Sequence, residues 1–291
     1  MKGIVLAGGT GTRLYPLTRT TSKQLLPVYD KPLIYYPIST LMLAGIRDFL
    51  IISSPRDIQS YKDLLGDGGN FGVKFSYLVQ PKPNGIAEAF ILAEDFIGNN
   101  SVALILGDNI FHGVGLGSQL RQLEKINGAQ IFAHSVRDPE NYGVIEFDLD
   151  GSVLSIVEKP AFPKSNYVVP GLYFYGSDVT QLAKQLVPSQ RGELEITSLN
   201  QLYLERGNLS VKLLDRGTAW FDTGTIDSLS DAGNYVRILE ERQGTKISCP
   251  EEISWRNAWI TDKQLLNLAE AYVKTSYGDY LRQLLTNAGA F

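Results

Sequence analysis

Cysteine is nearly absent: the 291 residues contain one, Cys249, beside two histidines, His112 and His134, and two methionines. A lone cysteine excludes an internal disulfide and a cysteine-rich zinc site, and it fits a reducing compartment, so the cytoplasm is the expected location. With two histidines, one of them inside a predicted strand, histidine-centred acid–base or zinc chemistry has little to work with. A basic surplus is also missing. Lys+Arg 27 against Asp+Glu 31 gives a net charge of −4, so no overall field draws in nucleic acid or an anionic membrane surface. No apolar run approaches the ~20 residues of a membrane helix, and the apolar part of MKGIVLAGG is too short for a signal-peptide core. Internal repeats, low-complexity tracts and long linkers are lacking too. What remains is one compact body with a small-molecule ligand.

Short β-rich apolar runs alternate with helix-like stretches through the first half. GIVLA (3–7), FLIIS (49–53), VKFSYLV (73–79), VALIL (102–106) and AQIFAHSV (129–136) read as strands. Between them, Leu33–Gly45, Ile58–Leu65, Ile86–Phe96 and Leu116–Ile126 carry apolar residues at helical spacing. Such alternation predicts βαβ units and an α/β fold with a mostly parallel, Rossmann-like mixed sheet flanked by helices. After about residue 140, VIEFDLDGSVLSIVEK sets Asp150-Gly151 between two alternating segments, a hairpin signal that opens a smaller antiparallel sublobe. Ser228–Gln243 and Lys263–Thr286 then turn helical, with no proline inside either. The expected division is residues 1–138, 139–225 and 226–291.

Gly8, Gly9 and Gly11 follow the first strand directly. Glycine lets backbone N–H groups approach an anion closely, so phosphate is the natural ligand, although glycine clusters also occur in plain turns. The dinucleotide fingerprint begun at Gly9 needs a glycine where Leu14 stands, and no GK[ST] tripeptide exists. Arg13 supplies a planar fork and Lys23 a compact charge, a combination suited to a triphosphate. Asp108 in LILGDN sits at the carboxyl end of a predicted strand, the edge where open α/β sheets bind ligands. Asp222 in WFDTGT offers a second carboxylate, and two carboxylates meeting at phosphates suit Mg²⁺. A single Asp-Thr-Gly in an α/β chain is not an aspartic-protease dyad.

These segments, GGTGTRLYPLT with KQLLPVYDKPLIYYP, then VQPKPNGIAEAF, LGDNIF, NYGVIEFD, EKP, SNY, GLYFY, RGELEIT, AWFDTGT and CPEEISWR, resemble in order the sugar-1-phosphate nucleotidylyltransferases, across essentially the whole chain. KQLLPVYDKP places the resemblance with the thymidylyl branch. It implies that Leu6, Gly8, Gly9, Gly11, Thr12 and Arg13 hold a nucleoside triphosphate, and that Lys23 neutralises charge at the phosphorus under attack. It also implies that Asp108 and Asp222 hold Mg²⁺, that Gln80 pairs with the thymine edge, and that Gly85 lets the base lie against backbone. Gly143, Glu158, Lys159, Tyr173 and Arg191 are expected to hold the sugar phosphate. The implied reaction joins glucose 1-phosphate to dTTP, giving dTDP-glucose and pyrophosphate. A phosphate monoester nucleophile, with a second pKa of about 6, needs no general base.

The resemblance further implies a homotetramer of paired dimers. It implies a second nucleotide-sugar site near Cys249, Glu252 and Arg256, through which a dTDP-sugar end product inhibits. Pro170 before Gly171 and the segment IFHGVG depart from the family pattern. Two rival readings stand beside the main one: a uridylyltransferase using UTP, and a catalytically silent regulatory subunit. A dinucleotide-dependent oxidoreductase fails on the missing third glycine and on FLIISSP, which ends without an acid.

Overall fold

The computed structural model describes residues 1–123 and 126–286. Glu124 and Lys125, within the helical stretch expected to reach Ile126, and residues 287–291 at the end of the expected C-terminal part lie outside the described residues. The strands are β1 (Lys2–Ala7), β2 (Pro27–Val28), β3 (Lys31–Pro32), β4 (Asp48–Ser53), β5 (Lys74–Val79), β6 (Val102–Leu106) and β7 (Asn109–His112). They continue as β8 (Ala129–Ser135), β9 (Gly143–Phe147), β10 (Val153–Glu158), β11 (Tyr167–Val168), β12 (Leu172–Tyr175), β13 (Leu209–Leu213) and β14 (Ala219–Asp222).

A ten-stranded sheet runs in the order β10-β9-β11-β8-β12-β6-β1-β4-β5, with β13 beside β8. Strands β5, β4, β1 and β6 are parallel, as the first-half alternation predicts. β4, β1 and β6 are apolar on both faces because both faces are covered, whereas the edge strand β5 is only partly buried. Ile4, Leu50 and Leu104 point into one core, and their neighbours Val5, Ile51 and Ile105 into the other. The two-residue period of a strand thus supplies two cores from one run.

The antiparallel part expected after about residue 140 is present, built as the continuation of the same sheet: β12 pairs antiparallel with β6 and β8, and β10 with β9. The turn at Asp150-Gly151 forms as expected, with Asp148 Oδ1 accepting from the backbone N–H groups of Asp150 and Ser152 at 2.9 and 2.7 Å.

The helix Tyr35–Leu43 is buried along nearly its whole length because the sheet lies on one side and the helix Pro250–Arg256 on the other. Ile226–Gln243 opens with a reciprocal cap between Thr225 and Ser228 and closes on Gly244 in the left-handed conformation. The single helical stretch expected over Lys263–Thr286 is two helices, Asp262–Ala271 and Ser276–Thr286. Their backbones cross so closely that a Cβ on Gly278 would lie 2.2 Å from the Tyr272 carbonyl oxygen, and the Thr275 hydroxyl accepts from the Gly278 N–H at 3.1 Å to start the second helix. A local capping residue therefore breaks the helix where no proline does. No helix among the described residues is long and apolar enough to cross a membrane.

Candidate active site

The cleft lies beyond the carboxyl ends of β1 and β6, adjacent parallel strands in the sheet. The β1 end is braced from beneath. Ser53 Oγ donates to the Ala7 carbonyl at 2.9 Å, and buried Gln24 donates to the Gly8 carbonyl at 3.2 Å. Gln24 is itself held by the Ser22 hydroxyl at 2.6 Å, and Ser22 lies 2.7 Å from the Tyr61 hydroxyl. Leu6 sits just under the loop, its carbonyl accepting from the Gly107 N–H at 2.9 Å. Gly9 and Gly11 take φ of 101° and 61°, so the loop 8–12 follows a path closed to most side chains. Thr18 anchors its far side, donating to the Gly11 carbonyl at 2.6 Å.

Asp108 and Asp222 are brought together by a two-stranded ladder separate from the main sheet. β7 and β14 pair antiparallel with Asn109 opposite Asp222, and Thr223 donates its backbone N–H and its hydroxyl to the Asp108 carbonyl at 3.2 and 2.8 Å. Lys23 Nζ stands 2.5 Å from Asp108 Oδ2. Gly224 adjoins both the Asp222 carboxylate and the Arg13 guanidinium, which would lie 3.2 and 3.5 Å from a Cβ there. Burial, and after it the charge of Asp108, push the Asp222 carboxyl above its ordinary range against the pull of Lys23, Arg13 and Lys159. Two carboxylates side by side, one of them buried and raised, in a cleft with fixed cations, are a donor set suited to a divalent ion. No group of three or more His, Cys, Asp or Glu is clustered for a metal among the described residues, so phosphate oxygens and water must complete any such shell.

Three cavities adjoin along this cleft. The central one, about 320 Å³, is lined by the glycine loop with Arg13, Lys23, Asp108 and Gly224. A second of about 270 Å³ shares Gly8, Gly9, Thr10 and Pro83 with it and adds Gln80, Ser54 and Arg56. The third, about 250 Å³, is lined by Gly143, Glu158, Lys159, Tyr173, Arg191 and Asp222. In it, Glu158 accepts from the Thr197 hydroxyl at 2.6 Å and from Arg191 at 3.3 Å, and Arg191 also donates to Glu195 at 2.9 Å. Lys159 has φ of 44°, a left-handed backbone at a non-glycine residue, which marks a position over-determined by its surroundings. Burial, followed by the charges of Glu158, Asp108 and Asp222, drives the Tyr173 phenol far above its ordinary value, so it stays a neutral donor.

The expected phosphate, metal and sugar residues therefore meet in one trough. Gly85 has a packing role in the fold. Its φ is 111°, and a Cβ there would fall 2.4 Å from the Leu194 carbonyl oxygen; the glycine is needed for close approach to the segment at 194, whose N–H donates to the Asn84 carbonyl at 2.7 Å. Cys249 is 1% exposed inside the C-terminal core, so it can shape a second site only from beneath. Glu252 accepts from Arg256 at 2.7 Å and from the Tyr280 hydroxyl at 2.6 Å. These residues stand apart from the three cavities. His112 meets the Tyr235 hydroxyl at 2.8 Å and His134 packs edge-on against Trp220; burial lowers both imidazoles below their ordinary pKa, and neither lines the trough.

Sequence reasoning gave no role to Asn109, Gln24, Thr197 and Glu195. Asn109 accepts from the Gly171 N–H at 3.1 Å and from Trp220 Nε1 at 2.7 Å, and it donates to Asp108 at 3.0 Å. Its only local signal is an amide next to the aspartate at a strand end.

A family model described as nucleotidyl transferase matches residues 2–237. The chain belongs to this nucleotidyl transferase family. It is 58% identical over 285 residues to the glucose-1-phosphate thymidylyltransferase of Mycobacterium tuberculosis, covering 98% of this chain and 99% of that protein. A crystal structure of a Bacillus anthracis chain assigned as a glucose-1-phosphate thymidylyltransferase, in complex with sucrose, superposes with a TM-score of 0.75 at 44% identity, over 81% of this chain and 95% of that one. A UDP-glucose pyrophosphorylase complexed with UDP-glucose reaches a TM-score of 0.71 at 26% identity, over 82% and 98%. The trough described above falls within the matched nucleotidyl transferase region.

Proposed function

We propose that this nucleotidyl transferase joins α-D-glucose 1-phosphate to the thymidylyl group of dTTP, releasing pyrophosphate and forming dTDP-glucose. The observation that carries the proposal is the convergence of the glycine loop, Arg13, Lys23, Asp108 and Asp222 between two further cavities. A triphosphate spans the centre, with its base on the Gln80 side and the sugar phosphate on the Glu158 side. The relatives at high identity over nearly the full chain support the thymidylyl assignment.

Asp108 and Asp222 would hold Mg²⁺, which neutralises phosphate charge when bound. The protein's own contribution is positioning and electrostatics. Loop N–H groups and Arg13 fix the triphosphate. Glu158, Tyr173, Lys159 and Arg191 present the sugar phosphate, whose anionic oxygen attacks in line without a base. Lys23 stabilises charge that develops at the phosphorus under attack. Gln80 accounts for the base edge and has no means to sense the thymine methyl, so some use of UTP follows, since a methyl is worth about 1–3 kcal/mol at most.

A dTDP-sugar end product, in the rhamnose pathway of deoxysugar synthesis, is the proposed inhibitor at the surface bearing Glu252 and Arg256, within a cytoplasmic homotetramer built as a dimer of dimers. The deciding experiment supplies glucose 1-phosphate and Mg²⁺ with each of dTTP, UTP, CTP, ATP and GTP and follows pyrophosphate. Preferential release from dTTP is expected. Preference for ATP or GTP would overturn the base assignment, and no release from any would favour the silent-subunit reading.

A further inference from the structure

We infer that Glu88 is a positioning residue that makes the base-side cavity reject cytosine, an inference that rests on the reading of this cleft as a thymidylyltransferase site. Gln80 is 7% exposed, and its backbone N–H is tied to the Ser53 carbonyl at 2.8 Å. Its side-chain Nε2 donates to Glu88 Oε2 at 2.7 Å. Its Oε1 faces the glycine loop, 3.6 Å from where a Cβ on Gly8 would stand, and both Gln80 and Gly8 line the base-side cavity. The other carboxylate oxygen of Glu88 accepts from Asn84 Nδ2 at 2.8 Å, so Glu88 is held from two sides at the start of the helix Glu88–Leu92.

A carboxylate only accepts hydrogen bonds, whereas an amide has one end of each kind. Turning the Gln80 amide over would set its carbonyl oxygen against the Glu88 carboxylate and forfeit a charge-assisted bond. The amide is therefore locked with its oxygen, and the second hydrogen of its NH₂, available to the cavity. Uracil and thymine offer an N3–H donor beside the O4 acceptor, which matches this order. Cytosine offers an N3 acceptor beside an amino donor, so acceptor would face acceptor and donor would face donor. Adenine carries the same mismatched order on its N1 and N6 edge. The base code is thus set by the neighbour that forbids the flip, with Gln80 as its reader. A buried mismatch of this kind leaves polar groups unpaired, the situation that discriminates most strongly.

The test compares kcat/KM for dTTP and dCTP in the wild-type enzyme, Glu88→Leu and Glu88→Gln. Glu88→Leu frees the amide to turn, and the dTTP:dCTP ratio is expected to fall about tenfold or more, the scale of one well-paired base contact. The fall should appear as a raised KM for dTTP together with a gain for dCTP. Glu88→Gln keeps the size of the side chain, but its own amide can turn to offer a donor, so the lock is lost and the ratio should fall in the same direction. A merely structural role lowers both substrates by the same factor, so an unchanged ratio in Glu88→Leu would overturn the inference. Absence of dTTP turnover in the wild type would instead bring down the underlying functional reading, and the inference with it.

Discussion

Around Asp30, two lysines meet two carboxylates. Lys31 reaches Asp30 and Glu240 at 2.6 and 3.1 Å, Lys246 reaches the same pair at 2.5 and 2.7 Å, and the Ile247 N–H adds a further bond to Glu240 at 2.9 Å. Around Asp222, two carboxylates face one half-buried lysine and the more exposed Arg13. The two clusters shift their aspartates in opposite directions. Burial raises Asp30, but Lys31 and Lys246 outweigh it and hold the carboxyl below its ordinary range, whereas burial and Asp108 lift Asp222 above it. A balanced cluster is finished when the chain folds and staples the hairpin of β2 and β3 to the helix Ile226–Gln243. The second cluster has as many cations as carboxylates, yet burial and Asp108 outweigh them at Asp222, which leaves that carboxylate for a metal ion and a substrate to satisfy.

The largest expected effect follows from unbalancing the first cluster. Lys31→Ala leaves Asp30 and Glu240 short of a partner in a nearly dry site, and the fold should lose about 3–5 kcal/mol in denaturant unfolding. For Asp30 the depressed pKa means that its contribution is complete at neutral pH and fades as pH falls through the folded-state value. An Asp30→Asn variant should accordingly show a flatter acid limb in a stability–pH profile than the wild type.

Next comes the cleft. Lys23→Ala and Asp108→Ala should each lower the rate of pyrophosphate release by about a hundredfold or more, the scale of a lost charge-stabilising group, with unfolding midpoints near that of the wild type. Stability loss as large as that of Lys31→Ala would erase the contrast between the clusters.

The smallest effect has the opposite sign. Because Asp222 has its pKa raised in the folded state, the fold binds its proton more tightly than the unfolded chain does. Stability therefore declines as pH rises from the ordinary aspartate value through the raised one, and remains lower at neutral pH. Asp222→Asn removes that penalty, and its melting temperature at neutral pH should rise by about 2 °C or more for each kcal/mol relieved while turnover collapses. A drop in melting temperature would show that Asp222 is structural, as Asp30 is.

The parallel half of the fold is legible because β1, β4 and β6 are apolar on both faces, and the glycine loop, Lys23 and Asp108 are legible because they follow those strands closely in sequence. Asp222, on the separate strand β14, was legible only through its own WFDTGT pattern and the family resemblance. What was hidden depends on distant chain. The helix Pro250–Arg256 carries Glu251, fully buried and bonded to the Tyr277 hydroxyl at 2.7 Å, and Ser254, which donates to the Phe71 carbonyl. Polar residues with remote buried partners blur the periodicity by which a helix is read. The same holds for Asn109, Gln24 and Thr197, whose work is to hold another group in place; Glu88 has near partners, Asn84 and Gln80, and was hidden because a lone acid at a helix start carries no signal of its own. Gly85, expected at the base, also admits the backbone at Leu194, tying the base-side loop to the segment that carries Arg191.

The most direct test of the central claim, that Asp108 and Asp222 serve one ion at one triphosphate, is the affinity of Mn²⁺ for the dTTP complex, measured by titration with electron paramagnetic resonance. The account predicts one tight ion in the wild type, with Asp108→Asn and Asp222→Asn each weakening it by about tenfold or more, the order of a lost carboxylate–cation interaction. Unchanged Mn²⁺ affinity in either variant, with dTTP still bound, would contradict it.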